Sequence, residues 1–133
     1  MNIVQITNWQ EYRRNGEQFL HTALMARKKN KTHFTPEILY NLTGMAIEKL
    51  IMAYLMKNGD LADNHTMGDL LAALERHAGR QPELAEKFHY LDSFQEICDL
   101  EAYSVKIPTQ EDTDAILAIG EEIREFLAPH LLN

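Results

Sequence analysis

The chain has 133 residues, enough for one domain (1–133) that buries about 65–70% of the surface its unfolded form exposes. With 45% apolar and 25% charged residues and no repeat or low-complexity stretch, it reads as a soluble globular protein without a disordered arm. The net charge of −7 argues against non-specific binding of DNA or RNA by the whole surface, and the single cysteine, Cys98, excludes an internal disulfide framework.

The opening residues, "MNIVQITNWQEYRR", contain a short candidate extended lead-in at 2–6 but no apolar core of a signal peptide. The most apolar window, 38–56, carries Glu48 and Lys49 at its centre and falls short as a membrane span. A cytoplasmic location without membrane association is expected.

From there the spacing is helical. Trp9, Tyr12, Gly16, Phe19, Ala23 and Ala26 recur at steps of three and four, predicting a first helix over 8–29. Its end and the following loop, "ARKKNKTH" (26–33), hold most of the basic excess. Residues 1–33 contain six Lys/Arg and two Glu, a balance of +4, whereas 34–133 contain seven Lys/Arg and eighteen Asp/Glu, a balance of −11. Cations there complement a helix dipole, which is the first reading; a phosphate-facing patch is the second.

Thr35-Pro36-Glu37 is a helix start: a hydroxyl cap, a proline at the first turn and an acid at the dipole's positive end. Leu39, Leu42, Ala46, Leu50 and Ala53 then share one face up to a stop at Asn58-Gly59. A second row, Ile38, Met45, Ile47, Ile51, Tyr54 and Leu55, predicts that this is the central and most buried helix. A short helix over about 66–78 follows, capped by Thr66 with Asp69 three residues on. Pro82 begins another, with Leu84, Phe88, Leu91, Phe94 and Cys98 inward and the thiol expected to be buried and inert. After the irregular "YSVKIPTQ" (103–110), Thr109 and Asp112 predict a capping box opening a last helix through Ile116, Ile119, Ile123, Phe126 and Leu127. No run alternates with period two. The reading is all-α: an antiparallel up-and-down helical bundle of four long helices plus one short helix.

The chemistry-bearing residues are few. Glu86-x-x-His89 has the spacing used by di-iron bundles, but that centre needs a second pair and two more carboxylates. With no HExxH and no Cys/His cluster, no metal and no cofactor are expected. His21 and His77 read as surface or helix-end residues, and neither a phosphate-binding glycine loop nor a nucleophile motif is present.

Glu48 and Lys49 are a charged pair inside an otherwise apolar helix. Adjacent residues on a helix stand about 100° apart, and a buried ion without a partner would cost several kcal/mol. In one reading Lys49 snorkels at the surface while Glu48 accepts hydrogen bonds from a neighbouring helix. In the other, both edge a cleft that His65 approaches from the next connection.

This order of residues resembles a known family. A helix with Ala46-x-Glu48-Lys49, a stop at Gly59, His65 leading into Asp69-Leu70-Leu71, a helix with "FHYLD", Tyr103 in an irregular segment and "EDTDAILAIGEEI" as the closing helix resemble the HEPN (higher eukaryotes and prokaryotes nucleotide-binding) domain from about residue 8 to 130. The resemblance implies a helical bundle that commonly dimerises and binds a nucleotide, or the substrate of a partner nucleotidyltransferase. It points to Glu48, Lys49, His65, Tyr103 and Lys106 as ligand-binding residues in a non-catalytic protein. Two positions depart from the family pattern: Met52 stands where a second lysine is common, and Ala102-Tyr103-Ser104 where Arg-Tyr-Pro is common. In other branches the family cleaves RNA, as toxins of toxin–antitoxin pairs, with an arginine followed a few residues on by a histidine. Arg27 with His33 and Arg124 with His130 have that spacing, although both lie away from the irregular segment where the resemblance would place them. A third alternative is a structural dimer with no small ligand.

Overall fold

The structure, a computed structural model, describes residues 8–94 and 107–132. It contains five α-helices: α1 Trp9–Lys28, α2 Pro36–Lys57, α3 Met67–Ala78, α4 Pro82–Asp92 and α5 Gln110–Leu127, with a closing 3₁₀ turn at Ala128–Leu131. There is no β-strand among the described residues. The all-α bundle read from the spacing is what forms. α4, at 11 residues, is about as short as the 12-residue α3; Phe94 is buried in the turn beyond it, and Cys98 lies outside the described residues.

The helix starts are chemical. The Thr35 hydroxyl accepts from Ile38 N–H with Pro36 at the first position, and Thr66 accepts from Asp69 N–H. Thr109 and Asp112 form a reciprocal capping box. α2 stops where Gly59 takes φ 75°, a left-handed conformation that costs a residue without a side chain nothing.

The direction of each helix follows from contacts between distant residues. Lys57 at the end of α2 donates to the carbonyls of His130 and Leu132, and its ammonium sits over the Trp9 ring, so α2 and α5 end where α1 begins. Arg27 near the end of α1 meets Asp114 near the start of α5. Tyr40 in the second turn of α2 donates to the Leu91 carbonyl at the end of α4, and Tyr90 donates to Asp112. Hence α1 and α4 run one way and α2 and α5 the other, up-down-up-down, with α3 packed across α2 and α4.

α2 is the centre of the bundle. It packs against α1, α3 and α5, and every residue from Leu50 to Met56 is buried. Two glycines permit this closeness. A Cβ on Gly16 would lie 2.8 Å from Leu50 Cγ and 3.1 Å from the Ala46 carbonyl oxygen, and one on Gly120 would lie 2.8 Å from Thr43 Cγ2. Thr43 is buried without penalty because its hydroxyl donates to the Leu39 carbonyl at 2.8 Å. The second apolar row of α2 is not wholly interior. Ile38 and Met45 remain 41% and 44% exposed, because no helix among the described residues covers that strip of α2.

Candidate functional site

That uncovered strip is one wall of a cleft of about 610 Å³, within the range of roughly 300–1,000 Å³ common for small-molecule sites. α2 contributes Asn41, Gly44, Met45 and Glu48, spaced three, four and seven residues apart along one side of the helix. The opposite wall is Asn64, His65 and Thr66 from the connection to α3, with Met67 and Asp69 from its first turn. Tyr40, Leu91 and Asp92 close one end.

Local chemistry holds these walls. The Thr66 hydroxyl both accepts from Asp69 N–H at 3.1 Å and donates to the Asp69 carboxylate at 2.7 Å, which locks the first turn of α3. The Tyr40 hydroxyl donates to the Leu91 carbonyl at 2.7 Å, and its ring packs on Phe94 with centroids 5.3 Å apart, which ties the α4 end to α2. Across the middle, His65 Nδ1 lies 3.1 Å from Glu48 Oε1. The side chains are 53% and 33% exposed, so the pair stands at the solvent boundary rather than in the core. Among the described residues, the formal charges on the lining come from Glu48, Asp69 and Asp92, with His65 as the one titratable base and no Lys or Arg.

Glu48 and Lys49 part company. One step further round the helix, the Lys49 ammonium sits over the Tyr12 ring, 4.6 Å from its centroid, and Lys49 does not line the cleft. Tyr103 and Lys106 lie outside the described residues. The Arg/His pairs are engaged elsewhere. Arg27 makes a two-pronged contact with Asp114, at 2.8 and 3.1 Å; that contact raises the guanidinium's pKa and lowers the carboxyl's. His33 packs beside Phe34. Arg124 lies 3.9 Å from Glu17, and the His130 ring meets the Tyr54 ring edge-on at 5.6 Å. None of the four residues lines the cleft. Among the described residues no group of three His, Cys, Asp or Glu side chains is placed to hold a metal ion.

Sequence reasoning picked out Glu48 and His65 but missed the rest of the lining. Asn41, Gly44 and Glu48 did carry a signal: small and polar residues recurring at helical spacing on a helix otherwise rich in large apolar ones. It also missed a second polar cluster at the far end of α3. Asp60 accepts from His77 at 2.8 Å and from Arg76 at 2.9 Å, and these bonds, that of His77 foremost, hold its carboxyl at about 2. Tyr90 is pushed up to about 12, by burial and then by its bond to Asp112.

Fold and site together define a class: an up-and-down helical bundle with a ligand-sized cleft beside its central helix. The family model of the HEPN domain matches residues 9–130, nearly the whole chain, and the chain belongs to that family. A search of curated proteins returned no match, and neither did a search of solved structures. No helix among the described residues is long and apolar enough to cross a membrane.

Proposed function

We propose that this is a non-catalytic HEPN binding protein whose ligand, a nucleotide or the substrate of a partner nucleotidyltransferase, occupies the cleft between α2, the α2–α3 connection and the end of α4. The observation that carries this reading is the Glu48–His65 pair: two side chains 17 positions apart in sequence meet at 3.1 Å on the wall of a 610 Å³ cleft. Glu48 and His65 serve as ligand contacts, whereas Lys49 serves the packing of α1 on α2. The chain acts as a cytoplasmic homodimer that presents its cleft to the partner enzyme.

Two measurements test this. A tagged pull-down from the native cell, read by mass spectrometry, is expected to recover a nucleotidyltransferase in stoichiometric amount. Thermal melting against nucleotides and candidate substrates is expected to find a ligand that, at 100 times its Kd, stabilises the fold by about 2.7 kcal/mol, and Glu48→Ala should abolish that shift. Melting indifferent to every compound overturns the small-ligand role. RNA cleavage lost in His33→Ala or His130→Ala would make the chain a ribonuclease instead.

A further inference from the structure

Resting on the homodimer in that reading, we infer the surface that forms it: the outward faces of α1 and α5. A cationic stripe and an acidic stripe lie side by side there, and a second copy of this chain, turned about an axis parallel to the helices, sets each stripe against its opposite.

The stripes come from helical spacing. On α1, Arg14, Gln18, His21, Met25 and Lys28 follow one another at steps of four and three, so they share one side of the helix. The three bases recur every seven residues, about 10.5 Å, and all are exposed. On α5, Asp114, Ala118, Glu121 and Glu125 keep the same steps; Asp114 and Glu125 are exposed and Glu121 is half-buried. The buried residues Leu20 and Ala23 of α1, and Ile116 and Ile123 of α5, lie on other sides of their helices. The seam between the stripes is open, with hollows of about 640 Å³ beside Arg14, His21 and Arg124 and about 380 Å³ beside Lys28, Asp114 and Glu121. Among the described residues, the side chains of Arg14, His21, Lys28, Glu121 and Glu125 have no ion-pair or hydrogen-bond partner.

The register is set within one chain. Arg27 meets Asp114 and Arg124 approaches Glu17 at 3.9 Å, so the helices run antiparallel with Lys28 level with Asp114 and His21 level with Glu121. A two-fold axis parallel to the helices keeps every level and exchanges left for right. It places Lys28 opposite the partner's Asp114 and His21 opposite the partner's Glu121, each contact occurring twice, with Arg14 within a turn of the partner's Glu125. Asp114 can still accept although Arg27 holds it, because a carboxylate has about four lone-pair sites. Met25 and Ala118 fall between the charges and let the helices approach. Solvated pairs of this kind are individually weak, so the dimer is expected to be reversible and sensitive to salt.

The test is sedimentation of the full chain from low to several hundred micromolar, with two charge-reversed variants. One carries Arg14→Glu, His21→Glu and Lys28→Glu; the other carries Glu121→Lys and Glu125→Lys. Wild type is expected to dimerise at low salt and to lose about tenfold in affinity at about 0.5 M salt, where screening reaches within a few ångström. Each variant alone meets like charge and should dimerise at least about tenfold more weakly. Their equal mixture should recover the dimer, which misfolded chains could not do. Variants that stay monomeric when mixed overturn the charge-matched register. A dimer indifferent to salt and to both variants overturns this surface while leaving the homodimer standing, and salt dependence of the wild type decides alone should either variant fail to fold. A wild type monomeric throughout overturns both. If that monomer binds a nucleotidyltransferase and the α1 variant does not, the stripe belongs to the partner enzyme and the second copy is overturned.

Discussion

Glu48 and His65 are joined at 3.1 Å across the cleft, and this contact is the link between the middle of α2 and the connection that carries the opposite wall. Because both side chains are partly solvated, the link acts as a local fastener more than as a source of global stability. Glu48→Gln is expected to change the unfolding free energy by no more than about 1 kcal/mol. It should raise amide exchange through residues 61–66, where opening is local. Unchanged exchange there would show that the Thr66 cap alone holds the wall.

Lys49→Ala separates the two halves of the charged pair. Loss of the ammonium from the Tyr12 ring should lower stability by about 0.5–1 kcal/mol, while the Kd for any cleft ligand stays within twofold, about the effect of 0.4 kcal/mol. A tenfold loss of affinity would put Lys49 in the binding site after all.

The central packing predicts opposite outcomes for two glycine-to-alanine changes. At Gly16 the new methyl meets Leu50 Cγ at 2.8 Å and the Ala46 carbonyl at 3.1 Å, and a backbone oxygen cannot step aside. Gly16→Ala should therefore destabilise by about 1–3 kcal/mol despite alanine's better helix propensity. At Gly68, in the first turn of α3, nothing lies within 4 Å, and Gly68→Ala should be neutral or stabilise by up to about 1 kcal/mol. Urea denaturation of both variants checks the contrast.

Asp60 should shape the acid limb of stability. Its carboxyl titrates at about 2 in the folded protein, held down by His77 and then Arg76, against about 3.9 when unfolded. Between those values the unfolded state binds more protons, so stability rises with pH through that window. The contribution is fully present above the unfolded value and is lost as pH falls through about 2. Asp60→Asn should flatten the pH dependence of the denaturation midpoint over this window and leave its slope near neutrality unchanged.

The start of α5 rests on a reciprocal cap, and Thr109→Ala should cost about 1 kcal/mol by leaving the Asp112 amide without its hydroxyl acceptor. Thr109→Ser, which keeps the oxygen, should restore most of it. Melting temperatures of the two variants decide the point.

The sequence by itself determined the helices and the bundle. Thr35-Pro36, Thr66, Thr109-Asp112 and Gly59 act within a few residues of themselves, and the three-and-four spacing that includes Ala23, Leu50 and Ile123 on their respective helices marks faces that have to be buried whatever their partner. It also marked Glu48 as an ion out of place, because the cost of an unpaired charge inside an apolar helix does not depend on the rest of the fold. The tertiary structure alone decided what that ion faces. His65 reaches it, Lys49 is diverted to Tyr12, Arg27 is engaged by Asp114, and Met45 stays uncovered, each through helices meeting across long stretches of chain. A cleft is the space left between packed elements, and its charge is the sum of residues from three of them, so its shape and sign arise only when α2, α3 and α4 come together.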